Sequence, residues 1–183
     1  MEELNNHNLE PTKMDIEKAF YKSPIGILEI QAIPDAISAI LFVNSWKGNK
    51  LDEETIVFQT SDNPVIASCF QELDEYFSGE RRDFTFPIAQ RGTAFQERVW
   101  DELLNIPYGR TISYLELSKR LGDPKVIRAA GTANGNNHIN IVVPCHRVIG
   151  SNGDLVGYGG DLWRKQWLLE HEGKVANGVQ TLF

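Results

Sequence analysis

Between residues 25 and 43 the apolar side chains fall in two short runs, Ile25-Gly-Ile-Leu-Glu-Ile30 and Ile37-Ser-Ala-Ile-Leu-Phe-Val43, split by Pro34-Asp35. Runs of this kind around a proline turn predict a hairpin, and a lone hairpin cannot bury its apolar face. From Asn63 onward the spacing changes. Ile66, Phe70, Leu73 and Phe77 recur at helical intervals between an Asn63-Pro64 start and a Gly79 stop, which predicts one amphipathic helix. A further β-rich stretch is expected at residues 55–59. The chain is therefore expected to be α/β, of the α+β kind. A small N-terminal domain with an antiparallel sheet and a helix would precede a mostly helical C-terminal domain.

The expected boundaries are a polar, disordered tail over residues 1–15, an N-terminal structural domain over 16–92, a C-terminal domain over 93–174 and a tail over 175–183. The connector, residues 78–92, carries Arg81-Arg82 and Pro87. In the second half Phe95, Val99 and Leu103 line one helix face, which ends before the turn Pro107-Tyr108-Gly109. Ser113 and Glu116 have capping-box spacing, and Leu117 and Leu121 carry that helix to Gly122. Asp123-Pro124 restarts a helix, expected over residues 125–134. Two short helices joined by a glycine turn make a winged helix-turn-helix-like pattern, although such pairs also occur in bundles that never touch DNA. Ala129, Ala130, Gly131, Thr132 and Ala133 would allow close approach to a partner beside Arg128, or simply tight core packing. A last helix is expected to start near Asp161, bury Trp167 and Leu168, and end at Gly173 with Glu172 in its final turn.

The chemistry concentrates in Val143-Pro144-Cys145-His146-Arg147-Val148. The β-branched run Ile139, Ile141, Val142, Val143 reads as a strand that stops at a thiol. A free thiol near pKa ~8.5 is mostly protonated at neutral pH, so a reactive Cys145 needs a base or a positive charge nearby. His146 and Arg147 could supply either; the same residues also fit a buried structural cysteine. Cys69, the second of only two cysteines, sits among helical apolar neighbours and reads as core. Two cysteines and four histidines without ligand spacing give no expectation of a disulfide framework, a metal or a cofactor. The cluster Gly157-Tyr158-Gly159-Gly160 lacks phosphate-loop framing and reads as a flexible wall for a flat ligand.

Charge is uneven: residues 1–92 hold 8 Lys/Arg against 16 Asp/Glu, whereas residues 93–173 hold 9 of each. An acidic whole argues against strong nonspecific nucleic-acid binding without excluding a local basic face. No apolar run approaches the ~18 residues that span a bilayer. The start, Met1-Glu2-Glu3, is acidic where a signal peptide would be basic. The expected location is cytoplasmic, or nuclear in a eukaryote, with no membrane partner.

From Thr93 to Gly173 the chain resembles the O6-alkylguanine-DNA alkyltransferases. The resemblance rests on Phe95-Gln96, Val99-Trp100, Ile106-Pro107-Tyr108-Gly109, Ser113-Tyr114, Arg128-Ala129, Asn137, Pro144-Cys145-His146-Arg147-Val148-Ile149-Gly150, Gly157-Tyr158 and Trp167-Leu168-Leu169, in that order. Residues 16–92, with Leu73-Asp-Glu-Tyr-Phe-Ser-Gly79, look like that family's N-terminal domain without the zinc-binding cysteines of some relatives. The resemblance implies a monomer that approaches double-stranded DNA from the minor groove and flips out an O6-alkylguanine, or an O4-alkylthymine. The alkyl group would pass once to Cys145. It also implies roles: His146 as base through a water, Glu172 as its orienter, Asn137 as a brace for the Cys145 turn, and Tyr114 as donor to the base. Arg128 would fill the vacated stack, with Ala129 and Thr132 against DNA. Pro144, Val148, Tyr158 and Gly159 would line the pocket, main-chain groups of Cys145 and Val148 receiving the guanine amine.

Four positions depart from the family pattern: His138 and Asn140 in place of prolines, Asp161 in place of glycine, and Gly159 where some relatives have serine. Losing the prolines is expected to loosen the approach to Cys145, and Gly159 to widen the pocket. Two other classes compete. A DNA-binding lesion sensor or regulator needs no cysteine nucleophile, yet Cys145 is present. A cysteine hydrolase would need Cys145 and His146 to touch, but adjacent strand residues face opposite ways, and nothing marks an oxyanion hole.

Overall fold

The computed structural model describes residues 16–59 and 61–178; the expected tail at residues 1–15 and the last five residues lie outside that range. Three antiparallel strands, β1 (Glu17–Ser23), β2 (Gly26–Ile33) and β3 (Ala36–Phe42), form a sheet in the order β1-β2-β3. The hairpin of the sequence is β2-β3. β1 carries no strong signal, because Glu17, Lys18 and Lys22 face out and only Ala19, Tyr21 and Ser23 are buried. Residues 56–59 join no strand among the described residues. Thr55 ends a single 3-10 turn, and Val57 and Phe58 are exposed, so the expected second β-rich stretch is an extended loop.

Helix α1 (Pro64–Ser78) starts and stops where expected. Asn63 Oδ1 accepts the Val65 N–H at 2.9 Å, and Gly79 takes the left-handed conformation (φ 84°) that frees the chain to turn. Its buried face, Ile66, Cys69, Leu73, Tyr76 and Phe77, packs on the sheet. The outer edge of β3 is not left open. Ile37 exchanges main-chain hydrogen bonds with Pro87 and Ala89 of the connector, and Ile40 with His138 and Asn140 of the second half.

That second half comprises α2 (Ala94–Leu104), the two-residue strand β4 (Ile112–Ser113), α3 (Tyr114–Arg120), α4 (Ile127–Gly135), β5 (Val148–Ile149, parallel to β4) and α5 (Leu162–Ala176). Thr93 closes a reciprocal capping box with Gln96 at the head of α2. At Ser113 the side chain accepts the Glu116 N–H at 3.0 Å, while the Glu116 carboxylate pairs with Arg120. α3 and α4 form the helix pair, but residues 124–126 are a 3-10 turn, so α4 begins later than expected. α5 runs past Gly173 to Ala176. The glycine is tolerated inside the helix, Glu172 lies a turn before its end, and residues 175–176 are helix rather than tail. Trp167 is only partly buried. Among the described residues no helix is long and apolar enough to cross a membrane.

Asn63→Ala should lower folding stability by about 1 kcal/mol through loss of the α1 cap. Urea denaturation would show it as a lower midpoint at unchanged slope.

Candidate active site

The run before Cys145 is not a strand. Residues 137–144 make a chain of turns, with only Ile139 bridged to Ile40 of β3, and Cys145–Arg147 forms one 3-10 turn. Ile141 sits at φ 73°, a conformation a β-branched residue adopts only under constraint. The constraint is visible as short-range hydrogen bonds from Val142 to Asn140, Val143 to Ile139 and Cys145 to Val143. Asn137 locks the same turn from inside. Its Nδ2 donates to the Val143 carbonyl at 2.8 Å and lies 3.1 Å from Cys145 Sγ, while its Oδ1 accepts from Ile139 N and Gln90 Nε2.

The two positions where relatives carry proline are held by other contacts. Asn140 is buried and its N–H donates to the Ile40 carbonyl at 2.9 Å, a bond that proline could not make. His138 packs edge-on against Trp100. Within the Gly157–Gly160 wall, Gly159 lies against Lys47 and Gly160 against Phe42 and Tyr158, whereas Gly157 faces open space.

Cys145 is 4% exposed, and burial pushes its thiol pKa up, against the opposing pull of Asn137, Lys165 and Lys47. At rest it is a thiol. His146 and Glu172 are fully buried, with His146 Nε2 2.7 Å from Glu172 Oε1. Glu172 also receives Tyr76 Oη at 2.9 Å, the Gly109 N–H at 3.1 Å, and Arg147 through Nε at 2.9 Å and Nη2 at 3.0 Å. Burial alone would raise the Glu172 carboxyl, but His146 and Arg147 hold it well below the usual carboxylate range. Burial lowers the His146 pKa despite Glu172. An ionised carboxylate only accepts, so Nε2 carries the imidazole proton and Nδ1 carries a lone pair. Among the described residues none hydrogen-bonds Nδ1. The turn thus holds a thiol beside a neutral imidazole whose basic nitrogen is unoccupied by protein.

Outside this core lies a cleft of about 680 Å³, bordered by Tyr114, Arg128, Thr132, Tyr158, Gly159 and Lys47 among others. Arg128, Ala129 and Thr132 are exposed on α4. Tyr114 donates to the Val156 carbonyl at 3.0 Å; its hydroxyl pKa is pushed up to about 12, first by burial and then by the nearby Cys145. Tyr158 is buried, and among the described residues its hydroxyl has no hydrogen-bond partner. Pro144 and Val148 are buried beside Cys145. The structure brings Cys145, His146, Glu172 and Asn137 together and sets Tyr114, Tyr158 and Gly159 around the cleft. Arg128, Ala129 and Thr132 stand at the cleft's outer rim and the α4 surface.

Residues 94–174 match the sequence profile of the 6-O-methylguanine DNA methyltransferase DNA-binding domain, and residues 16–90 that of the same family's ribonuclease-like domain. The chain belongs to the 6-O-methylguanine DNA methyltransferase family. It is 41% identical to the methylated-DNA–protein-cysteine methyltransferase of Mycolicibacterium paratuberculosis, over 92% of this chain and 99% of that protein. The Mycobacterium tuberculosis O6-methylguanine methyltransferase crystal structure superposes with a TM-score of 0.76 at 38% identity, covering 87% of this chain and 94% of that one. A structure of Mycobacterium tuberculosis OGT in complex with DNA gives 0.75 at 39% identity, over 86% and 93%.

Several groups in this methyltransferase-family site gave no sequence signal. Arg147, which the sequence offered with His146 as a group that could act on the thiol, is taken up by Glu172 and the Ile106 carbonyl. The cations coupled to Cys145 are Lys47 and Lys165. Lys165 is fully buried, donates to the Val148 and Val156 carbonyls at 2.7 and 2.8 Å, and has its pKa lowered by burial to about 8. The Val148 carbonyl, expected to meet the guanine amine, is thus already engaged. Tyr76 belongs to α1, far away in sequence. A bond from it could not be read from spacing.

Glu172→Gln leaves the buried Arg147 guanidinium without its counter-charge and should cost about 3–5 kcal/mol; Tyr76→Phe, which removes one hydrogen bond, should cost about 1 kcal/mol. The carboxyl is depressed in the folded state. Its contribution is therefore complete above the unfolded pKa of about 4.3 and is lost as pH falls further. Chemical denaturation at pH 7 and at pH 3 should find the gap between wild type and Glu172→Gln smaller at the lower pH.

Proposed function

We propose that this chain repairs DNA directly, by moving the alkyl group of O6-alkylguanine, and of O4-alkylthymine, onto Cys145 in a single turnover. The observation that carries the reading is the unbonded Nδ1 of a His146 tied to an ionised Glu172, one residue from a buried thiol beside an open cleft. Attack on an alkyl carbon needs thiolate. His146 takes the Cys145 proton through a water, and Glu172 stabilises the imidazolium that results. The Sγ–carbon bond forms as the carbon–O6 bond breaks, and the guanine leaves as its anion. Tyr114 exchanges its Val156 partner for the base, donating as negative charge develops there, and the proton held on His146 returns through solvent to the guanine. The product thioether has no good leaving group, so the protein is consumed.

Chemistry on a stacked base requires flipping. The α4 surface is suited to it, since Ala129 and Thr132 present little bulk to a minor groove and Arg128 can occupy the vacated stack. The DNA complex of the Mycobacterium tuberculosis relative supports DNA as the partner. One chain supplies every group named, which supports action as a monomer; the proposed place of action is the cytoplasm or, in a eukaryote, the nucleus.

Mixing the protein with duplex DNA carrying one O6-methylguanine should add one methyl, and no more, to the Cys145 peptide by mass spectrometry. Tight lesion binding without a mass change would make the chain a sensor instead. The transfer rate should be level from about pH 6.5 to 8.5 and fall at lower pH as His146 becomes protonated, because its pKa lies below the ordinary ~6.5. A tenfold rise per pH unit across that range would assign the thiol proton to hydroxide. Arg128→Ala should slow duplex repair about tenfold or more beyond any effect on free O6-benzylguanine; equal losses would remove Arg128 from flipping.

A further inference from the structure

The loop that follows β3 leaves the sheet and reaches the cleft. On the sheet side Asn49 donates to Glu29 at 2.6 Å, and the Asn44 N–H donates to the Asn49 carbonyl at 2.9 Å. On the cleft side the Trp46 N–H donates to Asp161 Oδ1 at 3.1 Å, and the Lys47 N–H to the Gly159 carbonyl at 3.1 Å. The Lys47 ammonium bonds the Gly135 carbonyl and, at 3.0 Å, Asn136 Oδ1. It therefore caps the carbonyl end of α4, where a cation is favoured. With both ends fixed, the four-carbon stem lies across Gly159. A Cβ built on Gly159 would stand 3.0 Å from Lys47 Cδ and 3.3 Å from its Cβ and Cγ.

Asp161 completes the arrangement. It holds φ 72° and ψ 146°, a backbone region that favours glycine, and its carboxylate binds Trp46 N through one oxygen and Arg164 through the other at 2.8 Å. Two departures from the family pattern, Gly159 and Asp161, thus meet on one loop. The pocket that Gly159 should widen is occupied there by a side chain from the other half of the molecule.

We propose that Lys47 is a specificity-determining residue of the lesion cleft, its stem closing the wall at Gly159 and limiting the size of alkyl group that reaches Cys145. This rests on the transfer to Cys145 proposed above. A lysine that merely capped α4 would leave alkyl preference untouched, which separates the two roles.

The test is the ratio of single-turnover rates on duplexes carrying O6-benzylguanine and O6-methylguanine, followed by Cys145 peptide mass. Lys47→Ala should raise the benzyl-to-methyl ratio about tenfold, the scale of opening an apolar wall, and Lys47→Arg, which keeps the charge and the Cβ, Cγ and Cδ that face Gly159, should hold it near the wild-type value. Gly159→Ala should lower the ratio in the wild type and have little effect in Lys47→Ala, because the crowding is between those two residues. A ratio unchanged in Lys47→Ala, equal shifts in the alanine and arginine variants, or strictly additive effects with Gly159→Ala would each overturn the proposal while transfer to Cys145 stands. Failure of the wild type to alkylate Cys145 would overturn both readings together.

Discussion

Taking the Glu172 carboxylate out of water costs on the order of several kcal/mol, and five hydrogen bonds from three other segments offset that cost. Tyr76 brings α1 and with it the N-terminal sheet. Gly109 brings the turn between α2 and β4. His146 and Arg147 bring the turn that carries Cys145. One buried charge therefore joins the two halves of the molecule and sets the protonation of the imidazole beside the nucleophile. The stabilising and chemical roles cannot be separated, because the same ionised oxygen that anchors Tyr76 forces the His146 proton onto Nε2.

The reactive turn is held from a second side by β3. A strand edge would ordinarily need protection; here Ile40 protects it by pairing with residues 138 and 140, and that pairing also fixes the path into Ile141 and Cys145. The strained Ile141 persists because Asn137 and the adjoining main chain leave the turn no other route. In this way a small sheet remote from the chemistry contributes to the position of the thiol, and its following loop reaches the cleft through Lys47.

Much of this was legible in the residues. Asn63-Pro64, Gly79 and the apolar spacing between them mark α1 because cap chemistry is local, and Ser113 marks the start of α3 for the same reason, whereas Asp123 caps only the 3-10 turn that precedes α4. β1 was silent since an edge strand with three charged residues shows little apolar alternation. Residues 55–59 misled in the opposite sense: β-branched and aromatic side chains favour an extended backbone whether or not a partner exists. Cys145, His146, Asn137 and Glu172 could be named from motif order, but Tyr76, Lys165 and Lys47 could not. Each enters the site through packing between distant segments, and a lysine on a helix or loop reads as a solvated charge until its neighbours are known.

The tautomer of the histidine beside Cys145 offers the most direct test of this mechanism. Long-range proton–nitrogen correlation NMR on histidine-labelled protein at pH 7, with His146 assigned by substitution, should show a neutral ring protonated at Nε2 and bare at Nδ1. That form should persist below the ordinary histidine pKa of about 6.5. An imidazolium at pH 7, or a ring protonated at Nδ1, would leave no acceptor for the Cys145 proton and would contradict the mechanism.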